Sequence, residues 1–251
     1  MQGNSNDAAA FIEAAIKKLG GFDHPASAKV LDFGCGTGQL VHDLFRRGFD
    51  TYGCDTRAYW VEENLPVSDR LSTICLRPYR LPFSENTFDA VISTSVLEHA
   101  QNKEDCFREI HRVLKPGGFS MHLYPGKWYL PYEPHIYVPL VNCFWPHCPK
   151  WWLGLWALLG VRNEFQKNQP WQAVAAANHR YCREGLSYWT TAEYRKVSLK
   201  IYGNCDWPMQ FYMNNSPGGF ARFFKRLPFK GLFGLLSREI RMGFMIHRKA
   251  A

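Results

Sequence analysis

Between positions 7 and 19 the apolar residues Phe11, Ile12, Ala15, Ile16 and Leu19 recur every three or four positions. That spacing predicts an amphipathic helix, and Gly20-Gly21 supplies its stop. The pattern then shortens its period. Apolar runs predict strands over 29–33, 51–54, 72–76, 90–94 and 119–124, and helical spacing predicts helices over 39–47, 57–64 and 103–114. Ser84-Glu85-Asn86 and Pro116-Gly117-Gly118 mark turns between them.

Strand and helix in alternation, joined by short turns, predict a doubly wound, mostly parallel α/β sheet covered by helices on both faces. This core, with its N-terminal helix, takes up residues 1–125. Residues 126–190 break the alternation: they are rich in Pro, Trp and Tyr, with one apolar segment at 151–161. They read as an insertion over the C-terminal edge of the sheet, after its fifth strand. In 191–251 a helix after a Thr cap and a last strand over 241–248 bring the chain back to the core.

Composition narrows the class. The chain has 251 residues, 46% hydrophobic and 21% charged, which excludes disordered, collagen-like and disulfide-scaffold proteins. Its eight cysteines include no C-x-x-C pair, and the N-terminus does not read as a secretory signal, so a reducing cytoplasm is expected. The longest apolar run has 11 residues, short of the ~18–20 that cross a bilayer. Charge is uneven: residues 195–251 hold 11 of the 30 Lys/Arg and only 2 of the 22 Asp/Glu. Such a basic segment attracts phosphates of nucleic acid, lipid or nucleotide, or only solubilises the surface.

The chemistry concentrates where the first strand ends. Asp32-Phe33-Gly34-Cys35-Gly36-Thr37-Gly38 puts three alternate glycines between a buried strand and a helix. Missing Cβ atoms and the free N–H groups of a helix start let a small polar ligand lie on this turn. The G-x-G-x-G spacing differs from that of dinucleotide-binding folds and lacks the Lys-Ser/Thr of a phosphate loop. Asp55, at the end of the second strand, suits the two hydroxyls of a ribose.

With these residues in order, the sequence resembles the class I S-adenosylmethionine-dependent methyltransferases, and within them the type 11 group. The resemblance extends through Leu81-Pro82-Phe83-Ser84-Glu85-Asn86-Thr87-Phe88-Asp89-Ala90-Val91, Val96-Leu97-Glu98-His99 and Arg112-Val113-Leu114-Lys115-Pro116-Gly117-Gly118. It implies a seven-stranded Rossmann-like sheet and S-adenosylmethionine as cofactor. It also implies Asp32 holding the methionine ammonium, Gly34, Gly36 and Gly38 giving the cofactor room, Asp55 on the ribose, Thr56 beside adenine and Ser95 at the methionine end. One position departs from the family: the stretch Leu76-Arg77-Pro78-Tyr79 has an arginine where relatives carry an acid for the adenine amino group.

Methyl transfer from a sulfonium is an in-line displacement, and a base is needed only where the acceptor must lose a proton. His99, after the fourth strand, and His135, in the insertion, are the candidate bases. Some relatives place a divalent ion on E-x-x-E-H, but Ser95 replaces the first acid, so no metal is expected. Cys143, His147 and Cys148 lack the paired spacing of a zinc site. The insertion's Trp128, Tyr129, Tyr132 and Tyr137 form either an acceptor pocket or a local core.

The expected reaction is O-methylation of a small molecule or glycan. Residues 220–237 alternate aromatic and basic side chains and suit either a membrane interface, which would admit a lipid-linked acceptor and a peripheral membrane location, or a cap on the sheet edge. A nucleic-acid methyltransferase is an alternative motivated by the basic tail, against which the Asn/Asp-Pro-Pro-Tyr type of motif is missing. A non-catalytic binding protein of the same fold is a third reading.

Overall fold

The computed structural model describes residues 5–62, 65–224 and 230–251. Helix α1 (Ser5–Lys18) precedes β1 (Lys29–Phe33), α2 (Gln39–Arg46), β2 (Asp50–Asp55), β3 (Leu71–Thr73), the short strands β4 (Cys75–Leu76) and β5 (Tyr79–Arg80), then β6 (Phe88–Thr94), α3 (Lys103–Val113) and β7 (Leu114–Pro125). The insertion holds α4 (Val141–Phe144), α5 (Lys150–Leu158) and α6 (Trp171–Arg180). The chain closes with α7 (Thr191–Tyr202), α8 (Met209–Asn215), α9 (Gly219–Phe224), α10 (Lys230–Ile240) and β8 (Met242–Arg248).

The main sheet runs β3-β2-β1-β6-β7-β8, parallel throughout except for β8 against β7. Parallel strands must be covered on both faces, and the side chains of β1 show it: Val30 packs with α1 and α2, whereas Leu31 and Phe33 pack with α3 and α7. The α1 face predicted from spacing is the buried one, with Phe11, Ile12, Ala15 and Ile16 at most 4% exposed. Helix α7 begins at a capping box in which Thr190 and Glu193 satisfy each other's backbone donors.

Three expectations need correcting. The sheet has six strands among the described residues, not seven: β8 joins β7 directly, and beyond β8 the described part of 191–240 adds only an isolated antiparallel bridge, Asp206 to Ile246. The strand expected over 72–76 gives the sheet only Leu71–Thr73. The chain then leaves as a separate antiparallel hairpin, pairing Cys75 with Arg80 and Leu76 with Tyr79. Arg77 therefore sits exposed at the hairpin tip, beyond the sheet. Of the helix expected over 57–64, a single 3-10 turn forms at Tyr59–Glu62, and residues 63–64 lie outside the described residues.

The insertion is more regular than its composition suggested. Trp152, Trp156 and Tyr181 pack on a small core of Ile136, Val138, Val141, Cys148, Leu153 and Cys182. Trp128, Tyr132, Tyr137 and Trp151 stay exposed. Strand order reverses between β1 and β6, and in an open α/β sheet such a switch point opens a crevice beyond the C-terminal strand ends.

Candidate active site

The bend after β1 and the segment after β6 meet at that crevice. Asp32 lies inside β1, paired in register with Gly53 and Ile92, and is 3% exposed. Its Oδ1 has no hydrogen-bond partner. Burial, helped by the nearby Asp55 charge, pushes its carboxyl up to about 7. A buried carboxylate is costly without a donor or a cation, so this orphaned oxygen fits a ligand that brings an ammonium.

The glycines of the bend do different work. At Gly34 a Cβ would meet the Val96 side chain at 2.3 Å, and at Gly38 it would meet Leu71 at 2.6 Å. These two absences accommodate the protein's own packing. At Gly36 nothing lies within 4 Å of an added Cβ, and φ is +53°. Of the three, Gly36 is the one with open space beside its backbone.

Asp55 ends β2 beside this bend. Its Oδ2 accepts the Gly36 N–H at 2.8 Å, and its Oδ1 accepts the Thr56 N–H at 2.6 Å and the Thr56 hydroxyl at 3.2 Å. A carboxylate has about four acceptor positions, so Oδ2 keeps one for a sugar hydroxyl. Ser95 takes a positive φ of 56° and lines a cavity of about 610 Å³ with Thr94, Gln39, Asp43 and Arg222. The orphaned Asp32 oxygen, the open Gly36 and the spare capacity of Asp55 together fit an S-adenosylmethionine.

The two histidines singled out by sequence come together although 36 positions separate them: their ring centroids are 4.8 Å apart. His99 Nδ1 lies 2.8 Å from the Gly185 carbonyl, and burial lowers its pKa. His135 Nδ1 lies 2.7 Å from Glu133 Oε1; burial alone would lower its pKa, but the bond to Glu133 and that residue's charge raise it. Glu98 completes the group with a carboxyl that burial pushes up to about 7.

Sequence reasoning assigned no role to two buried charged residues near these histidines. Glu133, fully buried, accepts from the backbone N–H groups of His135 and Ile136 and from the Tyr188 hydroxyl. Lys103, also fully buried, donates to the Ala100 and Ser187 carbonyls and to the Ser187 hydroxyl, tying the segment after β6 to the end of the insertion. The local signal for Glu133 is its place in Glu133-Pro134-His135, an acid two residues before a candidate base.

The basic C-terminal segment is partly spent inside the fold. Lys249 donates to Asn86 and to the His111 and Leu114 carbonyls, Arg241 donates to the Leu130 carbonyl at 2.5 Å, and Arg238 pairs with Glu239. Of the amphipathic stretch 220–237, residues 225–229 lie outside the described residues. Among the described residues no helix is long and apolar enough to cross a membrane.

Comparison with known proteins bears on the domain and its fold. The family described as "Methyltransferase domain" matches residues 31–121. A sterol 24-C-methyltransferase of Gibberella zeae is 36% identical over 97 residues, covering 36% of this chain and 26% of its own. The mitochondrial ubiquinone biosynthesis O-methyltransferase of Mus musculus is 32% identical over 124 residues, covering 43% of this chain and 32% of its own. This chain thus spans about a quarter to a third of the length of the curated relatives it matches. A solved S-adenosylmethionine-dependent methyltransferase from Mesorhizobium loti shares the fold, with a TM-score of 0.54 at 13% identity over 97% of this chain and all of that one.

Proposed function

We infer, from residues 31–121 being a methyltransferase domain of the class I, type 11 kind, that the protein methylates an oxygen of a small molecule with S-adenosylmethionine as donor. The observation that carries this reading is Asp32, a carboxylate buried to 3% exposure with an unpartnered oxygen beside the open bend.

When bound, the cofactor supplies an electrophilic methyl group on a sulfonium. Asp32 would hold its ammonium, the missing Cβ of Gly36 would admit it against the backbone, and Asp55 would accept a ribose hydroxyl. Thr56 would stand beside adenine and Ser95 at the methionine end. Most of the rate in such a displacement comes from alignment of nucleophile and methyl. His99 and His135, beyond the end of β6, are the groups available to take a proton from an acceptor hydroxyl.

The names of the relatives, one a sterol C-methyltransferase and one an O-methyltransferase of ubiquinone biosynthesis, support a small-molecule acceptor. Exposed Phe223, Leu232, Leu235 and Leu236 support a peripheral membrane contact through 220–237, which would bring a lipid-linked acceptor within reach. Cosedimentation with anionic vesicles tests that contact.

Calorimetry with S-adenosylmethionine and S-adenosylhomocysteine tests the reading first, with binding expected for both. Labelled methyl transfer to a panel of hydroxylated and amine-bearing acceptors then reads the acceptor atom, with label expected on oxygen. Failure of either cofactor form to bind at millimolar concentration would overturn it.

A further inference from the structure

The group behind the candidate bases has the composition of a metal site. We propose that Glu98, His99 and His135 bind one divalent first-row metal ion, with zinc the ion their donors suit best. Each offers a donor atom, and the three atoms lie within 4.8 Å of one another. Ligands about 2.0–2.2 Å from a shared ion stand roughly 3–4 Å apart, so side-chain rotation of modest size closes the site.

Glu98 is the first independent sign of a missing cation. It is 1% exposed, and neither carboxylate oxygen has a hydrogen-bond partner. Buried carboxylates are nearly always hydrogen-bonded or coordinated. The ligand that would answer Glu98 must carry positive charge and reach the two imidazoles as well.

The second sign is how the imidazoles are held. The Gly185 carbonyl 2.8 Å from His99 Nδ1 can only accept, so Nδ1 carries the proton and Nε2 keeps its lone pair. His135 Nδ1 faces Glu133 Oε1 at 2.7 Å, which likewise leaves Nε2 as the donor to an ion. Glu133 is itself fixed by two backbone N–H groups and by Tyr188. A carboxylate or carbonyl behind each histidine is the outer-shell arrangement that orients metal-bound imidazoles.

The wall is built for closeness. A single π-helical turn at Tyr181–Gly185 supplies both the carbonyl for His99 and the Tyr181 ring, whose centroid is 6.3 Å from His99 and 5.8 Å from His135. A Cβ at Gly185 would strike the Tyr181 ring at 2.7 Å.

Two imidazoles and one carboxylate favour zinc and its neighbours over magnesium or calcium, which take oxygen ligands. Three protein ligands leave a position open. An acceptor hydroxyl could fill it, the ion then easing loss of its proton to solvent in place of the histidines, whose Nε2 atoms are base candidates only while no ion is bound; that role rests on the methyl-transfer reading, whereas ion binding itself does not.

The test uses the full chain stripped by a chelator, titrated calorimetrically with zinc chloride and optically with cobalt chloride. One ion per chain is expected, with visible cobalt bands of nitrogen and oxygen coordination. Glu98→Gln and His135→Ala should each weaken zinc binding about 100-fold or more, and Glu133→Gln, which keeps all three ligands, about 10-fold. Circular dichroism confirms that each variant is folded. Absence of stoichiometric zinc and cobalt uptake by the native protein, or native affinity in His135→Ala, overturns the proposal. S-Adenosylhomocysteine binding, measured on the same stripped protein, reports separately on the methyl-transfer reading.

Discussion

The Asp55 carboxylate accepts the backbone N–H of Gly36 at 2.8 Å, so the acid that ends β2 fastens the bend that leaves β1. One side chain thus shapes the cofactor bend and presents the ribose acceptor. Asp55→Ala removes both. Hydrogen bonds to a charged group contribute about 1.5–3 kcal/mol each, so S-adenosylhomocysteine affinity should fall roughly 10- to 100-fold. Calorimetry measures it, and an unchanged Kd would separate Asp55 from the cofactor.

Asp32 makes affinity depend on pH. Its folded pKa, raised to about 7 by burial and then by Asp55, lies above the ordinary carboxylate value. The stability it contributes to the ligand-free protein is therefore present below about pH 4 and lost as pH rises through about 7. An ammonium favours the ionised form, so S-adenosylmethionine should bind more tightly from pH 6 to 8 and release a proton on binding near pH 6.5. Asp32→Asn should flatten that profile; calorimetry in buffers of different ionisation enthalpy reads the proton.

Gly34 and Gly36 should separate folding from binding. Gly34→Ala places a Cβ 2.3 Å from Val96 at a φ of +80° and should lower stability by about 2 kcal/mol or more. Gly36→Val meets no atom within 4 Å of its Cβ, so only the positive φ opposes it, about 1–2 kcal/mol. It should fold and yet lose cofactor binding. Thermal denaturation and calorimetry on the pair distinguish these outcomes; a Gly36→Val protein that binds normally would remove Gly36 from the contact.

A buried chain of hydrogen bonds predicts acid sensitivity. It runs Ser93–His122–Ser120–His247–Ser198, with contacts of 2.8–3.1 Å. Burial lowers the His122 pKa to about 3 and takes that of His247 well below its ordinary value. With folded values depressed, the stability these neutral rings contribute is present above about pH 6.5 and lost as pH falls toward 3. Tm should drop between pH 7 and 5, and His122→Leu should be less stable at pH 7 with a shallower slope. Equal slopes would assign the acid sensitivity elsewhere.

Much of the core follows from local pattern. The apolar runs at β1 and β6, the helical repeats at α1 and α3, and the glycines after Asp32 each state a backbone preference within a few residues, and the structure places them accordingly. The hairpin at 75–80 was less legible, because Ile74-Cys75-Leu76 looks like a strand interior until Pro78 and Tyr79 turn the chain back on itself.

Motif spacing, place along the predicted strands and the family resemblance named Asp32, Asp55, His99 and His135 as candidates, since these are properties of neighbouring positions. Tertiary structure decided their company: Val96 under Gly34, Gly185 behind His99, His135 against His99, and Tyr188 on the Glu133 that holds His135. Those contacts join segments tens of residues apart through side-chain packing and buried hydrogen bonds, and no local periodicity encodes the distance between two segments that only a folded core brings together.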